Sequence, residues 1–347
     1  MKSVGLVLGG GGARGLAHIG VLAVLEEAGI VPSVITGASM GGLIGALAAG
    51  GMRAADICQA AEQLRRPGLG YLAPRRGLVS WERLFQPLLP HLKSTFADLA
   101  IPLAVTTTDI ERGQSVLLTQ GPLLPALQAT TALPGLLPPV EINGQYLVDG
   151  GVLNNLPVDA ARALGAEVVI AVHVGHPADR AVRLEPGTRE CLACYLKDVA
   201  RVRELEVAVD ILLKSLEITY HHLTALQLAM TSPDVLLIPR LPGVELHHFD
   251  RLDEAVTAGR RAAEAVLPDI ERLVAGAAGT AAPQMEAVEI AVDPVCSMVV
   301  NVARAPEQVV FRGQVYAFCS LHCRQAFELA PERYVAAGLG WSHTARR

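Results

Sequence analysis

The sequence predicts an α/β fold: three layers around a largely parallel central sheet, with a small α+β unit at the C-terminus. Three observations lead there. Strand-like apolar runs alternate with amphipathic helical stretches from the first residues onward. Glycine-rich turns join strand to helix near 9–15 and 37–42. Six of the fourteen aromatic residues (Phe311, Tyr316, Phe318, Phe327, Tyr334 and Trp341) lie after residue 310, which marks a separately built terminal unit.

In chain order, strands are expected at 3–8 and 33–36, each feeding through glycines into a helix, the first of them over 13–28. Further strand runs fall at 102–107, 115–119, 145–148, 167–174 and 235–238. Helices are expected at 123–131, 158–164 and 251–274. This alternation implies parallel neighbours covered by helices. Residues 65–77 hold two prolines, three glycines and four arginines and read as an exposed loop bordering an entrance. A long pattern rich in leucine and valine over 192–230 predicts one or two helices whose apolar stripe packs on the core, with packing on lipid as the alternative. The small-residue text at 275–287 reads as flexible. The chain therefore divides into a large domain over 1–274 (motif core about 5–165), a linker over 275–289 and a cysteine module over 290–340.

Composition narrows the partners. A net charge of −5 leaves no overall basic field to hold nucleic acid, which is dropped as a partner. Hydrophobic residues reach 51%, which excludes a disordered chain and raises the question of membrane insertion. The uncharged stretch between Glu27 and Arg53 contains Pro32 and seven glycines, and that over 113–140 contains five prolines, so neither reads as a spanning helix. The apolar run at 4–8 is too short for the core of a signal peptide, and a cytoplasmic location is expected. Six cysteines are too sparse for a disulfide scaffold, so clustered thiols suggest metal or redox work.

The chemistry starts at Gly37-Ala-Ser39-Met-Gly41, a G-x-S-x-G pattern where a strand turns into a helix. Glycine on both sides permits a strained turn that pushes the Ser39 hydroxyl outward, at a helix N-terminus whose dipole favours developing negative charge. Upstream, 8–15 reads Leu-Gly-Gly-Gly-Gly-Ala-Arg-Gly, a run whose amides can converge on an oxyanion. The same glycines satisfy the dinucleotide fingerprint, but no acidic residue ends the second strand. A P-loop would need Lys and Ser/Thr after Gly15, where Leu16 and Ala17 stand. A serine needs a base. The leading acid is Asp149 in Val148-Asp-Gly-Gly151, at a strand end followed by a turn.

With GASMGG, the glycine run, ATTALPGLLPPV at 129–140 and LVDGGVLNNLPV at 147–158, the sequence resembles the bacterial branch of the patatin-like phospholipases over residues 3 to about 265. The resemblance implies a serine lipid acyl hydrolase of phospholipase, lysophospholipase or esterase type, needing no cofactor. Ser39 would attack an ester carbonyl, and Asp149 would take its proton without a histidine. The oxyanion hole maps to Gly10, Gly11 and Gly12. Arg14 is a substrate-binding candidate that either holds a phosphate or braces the loop. Asn154, Asn155 and Pro157 match the supporting turn. The implied partner is a lipid or acyl-ester substrate, with peripheral membrane contact. A rival triad of Ser39 and Asp149 with His173 or His176 remains open. The pairs His221-His222 and His247-His248 show no carboxylate or thiol spacing and read as solvent-facing or capping. Acyl transfer to another acceptor, or a non-enzymatic metal-binding regulator on a hydrolase fold, are the alternative functions.

The terminal unit contains Asp293-Pro-Val-Cys296-Ser-Met298 and Phe318-Cys319-Ser-Leu-His322-Cys323. A hairpin returning Cys319 beside Cys296 would gather three thiols, and the spacing of Cys319 and Cys323 predicts one helical face. The stretch resembles a YHS domain, with Ser297 where that family has glycine. Cys296, Cys319 and Cys323 are the candidate ligands for zinc or copper, and His322 is the nearest fourth. Cys191 and Cys194 read as two packed thiols.

Overall fold

The protein is described here by a computed structural model covering residues 2–65, 81–175, 202–275, 288–335 and 343–345. The loop at 65–77 beyond Arg65, His176, the Cys191–Cys194 pair and the linker over 276–287 lie outside the described residues.

Eight strands form the main sheet: β1 (Val4–Leu8), β2 (Val34–Ala38), β3 (Leu103–Asp109), β4 (Gln114–Leu118), β5 (Val140–Ile142), β6 (Gln145–Asp149), β7 (Val168–Val172) and β8 (Val235–Leu237). The run β3-β2-β1-β7-β8 is parallel, and β4, β5 and β6 are antiparallel additions at one side. The short strand β5 was not expected. It is produced by Asn143-Gly144, both at positive φ (51° and 75°), the signature of a two-residue hairpin turn into β6.

Side-chain alternation sorts the central strands between two cores. Leu6, Leu8, Ile35, Leu103, Val105, Ile170 and Val172 enter one. Val7, Val34, Ala104, Val169 and Ala171 enter the other. The first core is covered by α1 (Ala17–Glu27), α2 (Met40–Ala49) and the helix Leu252–Ala275. α1 and Leu252–Ala275 cross with no room for side chains: a Cβ on Gly20 would lie 2.0 Å from the Val256 carbonyl oxygen, and one on Gly259 1.8 Å from that of Ala17. The expected first helix is split, because Gly12–Leu16 is a 3₁₀ turn before α1 begins.

The second core is closed by the helix Val158–Ala163 and also by Ile290 and Val299 of the C-terminal unit. That unit packs on the sheet as part of its third layer. It holds a three-stranded sheet of Val288–Val292, Val299–Asn301 and His343–Ala345, the hairpin Glu307–Phe311 with Gln314–Phe318, and the helix Leu321–Leu329. Phe327 is its centre, ringed by Phe311, Tyr316, Phe318 and Tyr334 at centroid distances of 5.0–6.2 Å.

Candidate active site

The register of β3 brings serine and aspartate together. β4 occupies one edge of β3 through residues 105–109, so β2 and β6 share the other edge end to end. Thr106 partners Ala38, the residue before Ser39, and the next residue, Thr107, partners Asp149. Because β2 runs parallel and β6 antiparallel to β3, both C-terminal ends stop at the same point.

At that point Ser39 adopts φ 51° and ψ −127°, a left-handed conformation unusual for a residue with a side chain. Thr130 holds the turn, its hydroxyl accepting from the Ser39 amide (2.9 Å) and donating to the Thr106 carbonyl (2.7 Å). Gly41 is required by close approach, since a Cβ there would lie 2.0 Å from the Leu8 carbonyl oxygen. The elbow thus places Ser39 at the N-terminus of α2.

Asp149 is 2% exposed, and its carboxylate accepts from the Gly151 amide at 2.8 Å and shares a hydrogen bond with the Ser39 side chain. Burial raises its pKa from 3.8 to about 6, against the opposing effect of those two hydrogen bonds. A carboxylate with that pKa beside a serine hydroxyl has the properties required of a base near neutrality.

Gly10, Gly11, Gly12, Arg14, Ser39 and Asp149 line one cavity of about 290 Å³. The rest of its wall is mainly apolar, including Phe85, Leu133, Leu137, Leu213, Leu216 and Phe249. The Gly10 amide is already engaged, and Arg14 is positioned for the second of its two expected roles, the brace. The Gly10 amide already donates to the Asn155 carbonyl at 3.1 Å, which leaves the Gly11 and Gly12 amides as the donors with no backbone acceptor among the described residues. Arg14 is buried against Glu217, Nη2 to Oε1 2.5 Å, on the helix Val202–Met230. Its charge is compensated inside the protein, so it braces the glycine loop against that helix. Lys214 also reaches Glu217, at 3.0 Å. Nothing in the sequence marked Glu217 as the inward-facing acid.

The supporting turn is built as a brace: Asn155 also donates from Nδ2 to the Gly10 carbonyl (3.2 Å), and Thr36 Oγ1 donates to the Pro157 carbonyl (3.0 Å). His173 is buried beyond the end of β7 and stacks on His221 at 6.0 Å. It does not line the cavity, whereas the described partners of the Asp149 carboxylate are Ser39 and Gly151. Glu245 comes within 4.8 Å of His247 and His248, a carboxylate neighbour that the spacing had not disclosed.

In the terminal unit the three thiols meet, Cys296 to Cys319 at 3.4 Å and Cys319 to Cys323 at 3.7 Å between sulfurs. Cys319 and Cys323 do not share a helical face: Cys319 precedes the N-cap Ser320, and Cys323 lies in the first turn. His322 is exposed and stands outside the cluster. The fourth group is Asp293, fully buried, whose carboxylate accepts from the amides of Val295 (2.9 Å), Cys296 (3.4 Å) and Cys319 (2.8 Å). Ser297 takes φ 63°, the conformation for which glycine is suited. A hydrogen bond with Cys296 draws the Cys319 thiol down to about 7, and burial lifts Cys323 to about 11. Three sulfurs and one carboxylate within 4.8 Å fit a soft or borderline metal ion.

Two family models match this chain. The family model for patatin-like phospholipases matches residues 6–162, and that for YHS domains matches residues 291–337. Patatin-like phospholipase domain-containing protein 6 of Mus musculus is 38% identical over 190 residues, 50% of this chain and 14% of the relative. Lysophospholipase NTE1 of Phaeosphaeria nodorum is 36% identical over 182 residues, 50% of this chain and 12% of the relative. The chain thus spans about an eighth of the length of these curated relatives. Among solved structures, VipD from Legionella pneumophila gives a TM-score of 0.44 at 15% identity, covering 77% of this chain and 67% of that one. The type III effector ExoU gives 0.38 at 16% identity, covering 79% and 53%.

Proposed function

We propose that this chain, which carries a patatin-like phospholipase domain over residues 6–162 and a YHS domain over residues 291–337, hydrolyses lipid acyl esters through a Ser39–Asp149 dyad. The observation that carries the reading is the register that brings Ser39, strained on its elbow, and the buried Asp149 carboxylate to the same end of β3 and into one apolar cavity. Asp149 accepts the Ser39 proton as Oγ attacks the ester carbonyl. The Gly11 and Gly12 amides and the N-terminus of α2 stabilise the oxyanion. The bond to the leaving oxygen breaks, that oxygen takes the proton from Asp149, and the acyl group remains on Ser39. Water then attacks the acyl-enzyme, gives its proton to Asp149 and releases the fatty acid.

The apolar cavity supports an acyl chain as the recognised part, in a cytoplasmic enzyme working against a membrane surface. In the terminal unit, Cys296, Cys319 and Cys323, with Asp293 beside them, would hold zinc or copper(I). Bound there, the ion supplies a cross-link between the hairpin and the Cys296 loop. Elemental analysis of reduced protein is expected to give one equivalent of metal, lost in Cys296→Ser.

A fluorophosphonate, which phosphonylates activated serines, tests the dyad. It is expected to label Ser39 in the native protein, to leave Ser39→Ala unlabelled and to label Asp149→Asn far more slowly. Folded native protein that takes up no label would contradict the reading.

A further inference from the structure

Tyr220 lies on the helix Val202–Met230, one turn from the Glu217 that binds Arg14, and lines the same cavity as Ser39 and Asp149. Its ring packs on the turn after the aspartate: a Cβ on Gly151 would sit 2.8 Å from Tyr220 Cε2 and 3.0 Å from Asp149 Oδ1. Gly151 is the residue whose amide caps the Asp149 carboxylate. The Tyr220 hydroxyl is buried and has no hydrogen-bond partner among the described residues. Leaving a buried hydroxyl unpaired costs about 1–3 kcal/mol, a cost for which phenylalanine would be the remedy if packing were the only need. Burial and the charge of Asp149 both hold the phenolic proton on, so at working pH this group is a donor and not a base.

The dyad leaves one requirement unassigned. Asp149 must both accept the Ser39 proton and return it to the leaving oxygen, and the glycine amides serve the carbonyl oxygen only. We propose that Tyr220 is a catalytic residue, its hydroxyl donating a hydrogen bond to the leaving-group oxygen of the bound ester as the bond from carbon to that oxygen breaks. The proton that the alcohol finally carries comes from Asp149, and Tyr220 keeps its own. The inference rests on the ester-hydrolase reading above.

The test uses the full chain and Tyr220→Phe, with two esters of one fatty acid: an alkyl ester, whose alkoxide leaves poorly, and a nitrophenyl ester, whose leaving group needs little help. Tyr220→Phe is expected to lower kcat/KM for the alkyl ester by roughly 100-fold. The loss on the nitrophenyl ester is expected to be at least about tenfold smaller. Tm of the variant is expected to rise, because an unpaired buried hydroxyl has been removed. Equal losses on both esters with a lowered Tm would show a structural hydroxyl and overturn the proposal, and so would unchanged kinetics on both. Native protein that hydrolyses neither ester and takes no fluorophosphonate would overturn the hydrolase reading, and the role of Tyr220 with it. Native protein that is labelled and active while Tyr220→Phe shows no leaving-group dependence would overturn Tyr220 alone.

Discussion

A carboxylate enclosed by protein is costly to keep ionised, and at Asp149 that cost is what the proposed chemistry would draw on. Its folded pKa of about 6 lies above the unfolded value of 3.8, so the folded protein binds the extra proton between those values. Stability therefore falls as pH rises through that window, by about 3 kcal/mol in all. Asp149→Asn is expected to raise the stability measured by urea unfolding at pH 8 by up to about 3 kcal/mol while abolishing hydrolysis. In the native protein, kcat/KM is expected to climb about tenfold per pH unit below about pH 6 and to level above it, because only the carboxylate form accepts the Ser39 proton. A profile flat from pH 4.5 to 8, where a change of about 30-fold is expected, would show that another group is the base. Ser39 and Asp149 stood out in the sequence because both sit in local turn chemistry: glycines around Ser39, and an Asp-Gly-Gly turn at Asp149. Tyr220 did not, since a tyrosine on an apolar stripe reads as core until its hydroxyl is seen to lack a partner.

At the scale of elements, the helix Val202–Met230 forms one side of the cavity. It is tied down by Glu217 to Arg14 and by Gln227, whose Nε2 donates to the Leu153 carbonyl at 2.6 Å. Arg14 and Glu217 are 2% and 10% exposed. Removing the carboxylate by Glu217→Ala takes away the buried counter-charge of Arg14 shown by this ion pair and is expected to cost about 3 kcal/mol, read as a lower urea midpoint. A change within about 0.5 kcal/mol would show that the pair braces nothing. The apolar period of this helix predicted packing on the core; instead Leu213 and Leu216 line the cavity while Ile211, Leu212, Ile218 and Leu226 stay exposed, and period alone could not show that one acid turns inward to Arg14, two hundred residues earlier. The strand β6 was readable, but not its antiparallel pairing. Its placement on the same edge of β3 as β2, which makes the dyad, follows only from the register.

At the scale of the whole molecule, the terminal unit is structurally continuous with the large α/β domain. Asp159, buried in the helix Val158–Ala163, accepts from the Val299 amide (2.7 Å) and from Asn154 Nδ2 (2.9 Å), while Asn301 Nδ2 donates to the Ala163 carbonyl (3.1 Å). Val299 follows the Cys296 loop by three residues, and Asn154 adjoins the Asn155 that braces Gly10. Aromatic content and thiol spacing disclosed the unit in the sequence. The docking stayed hidden because an aspartate in the first turn of a helix is expected for the helix dipole alone. Asp159→Ala is expected to cost about 2–4 kcal/mol by orphaning two buried donors. Zinc added to the native protein is expected to raise Tm in a single cooperative transition covering both units. Two separate transitions, with zinc moving one alone, would show that the contact does not couple them.

The central claim is the dyad, and fatty acid release tests it most directly. Native protein, Ser39→Ala and Asp149→Asn, each shown to be folded, would be assayed on phospholipid and short-chain ester. The account predicts hydrolysis by the native protein and a loss of at least about 10,000-fold in both variants. Folded native protein without activity, or a Ser39→Ala variant that keeps it, would contradict the account.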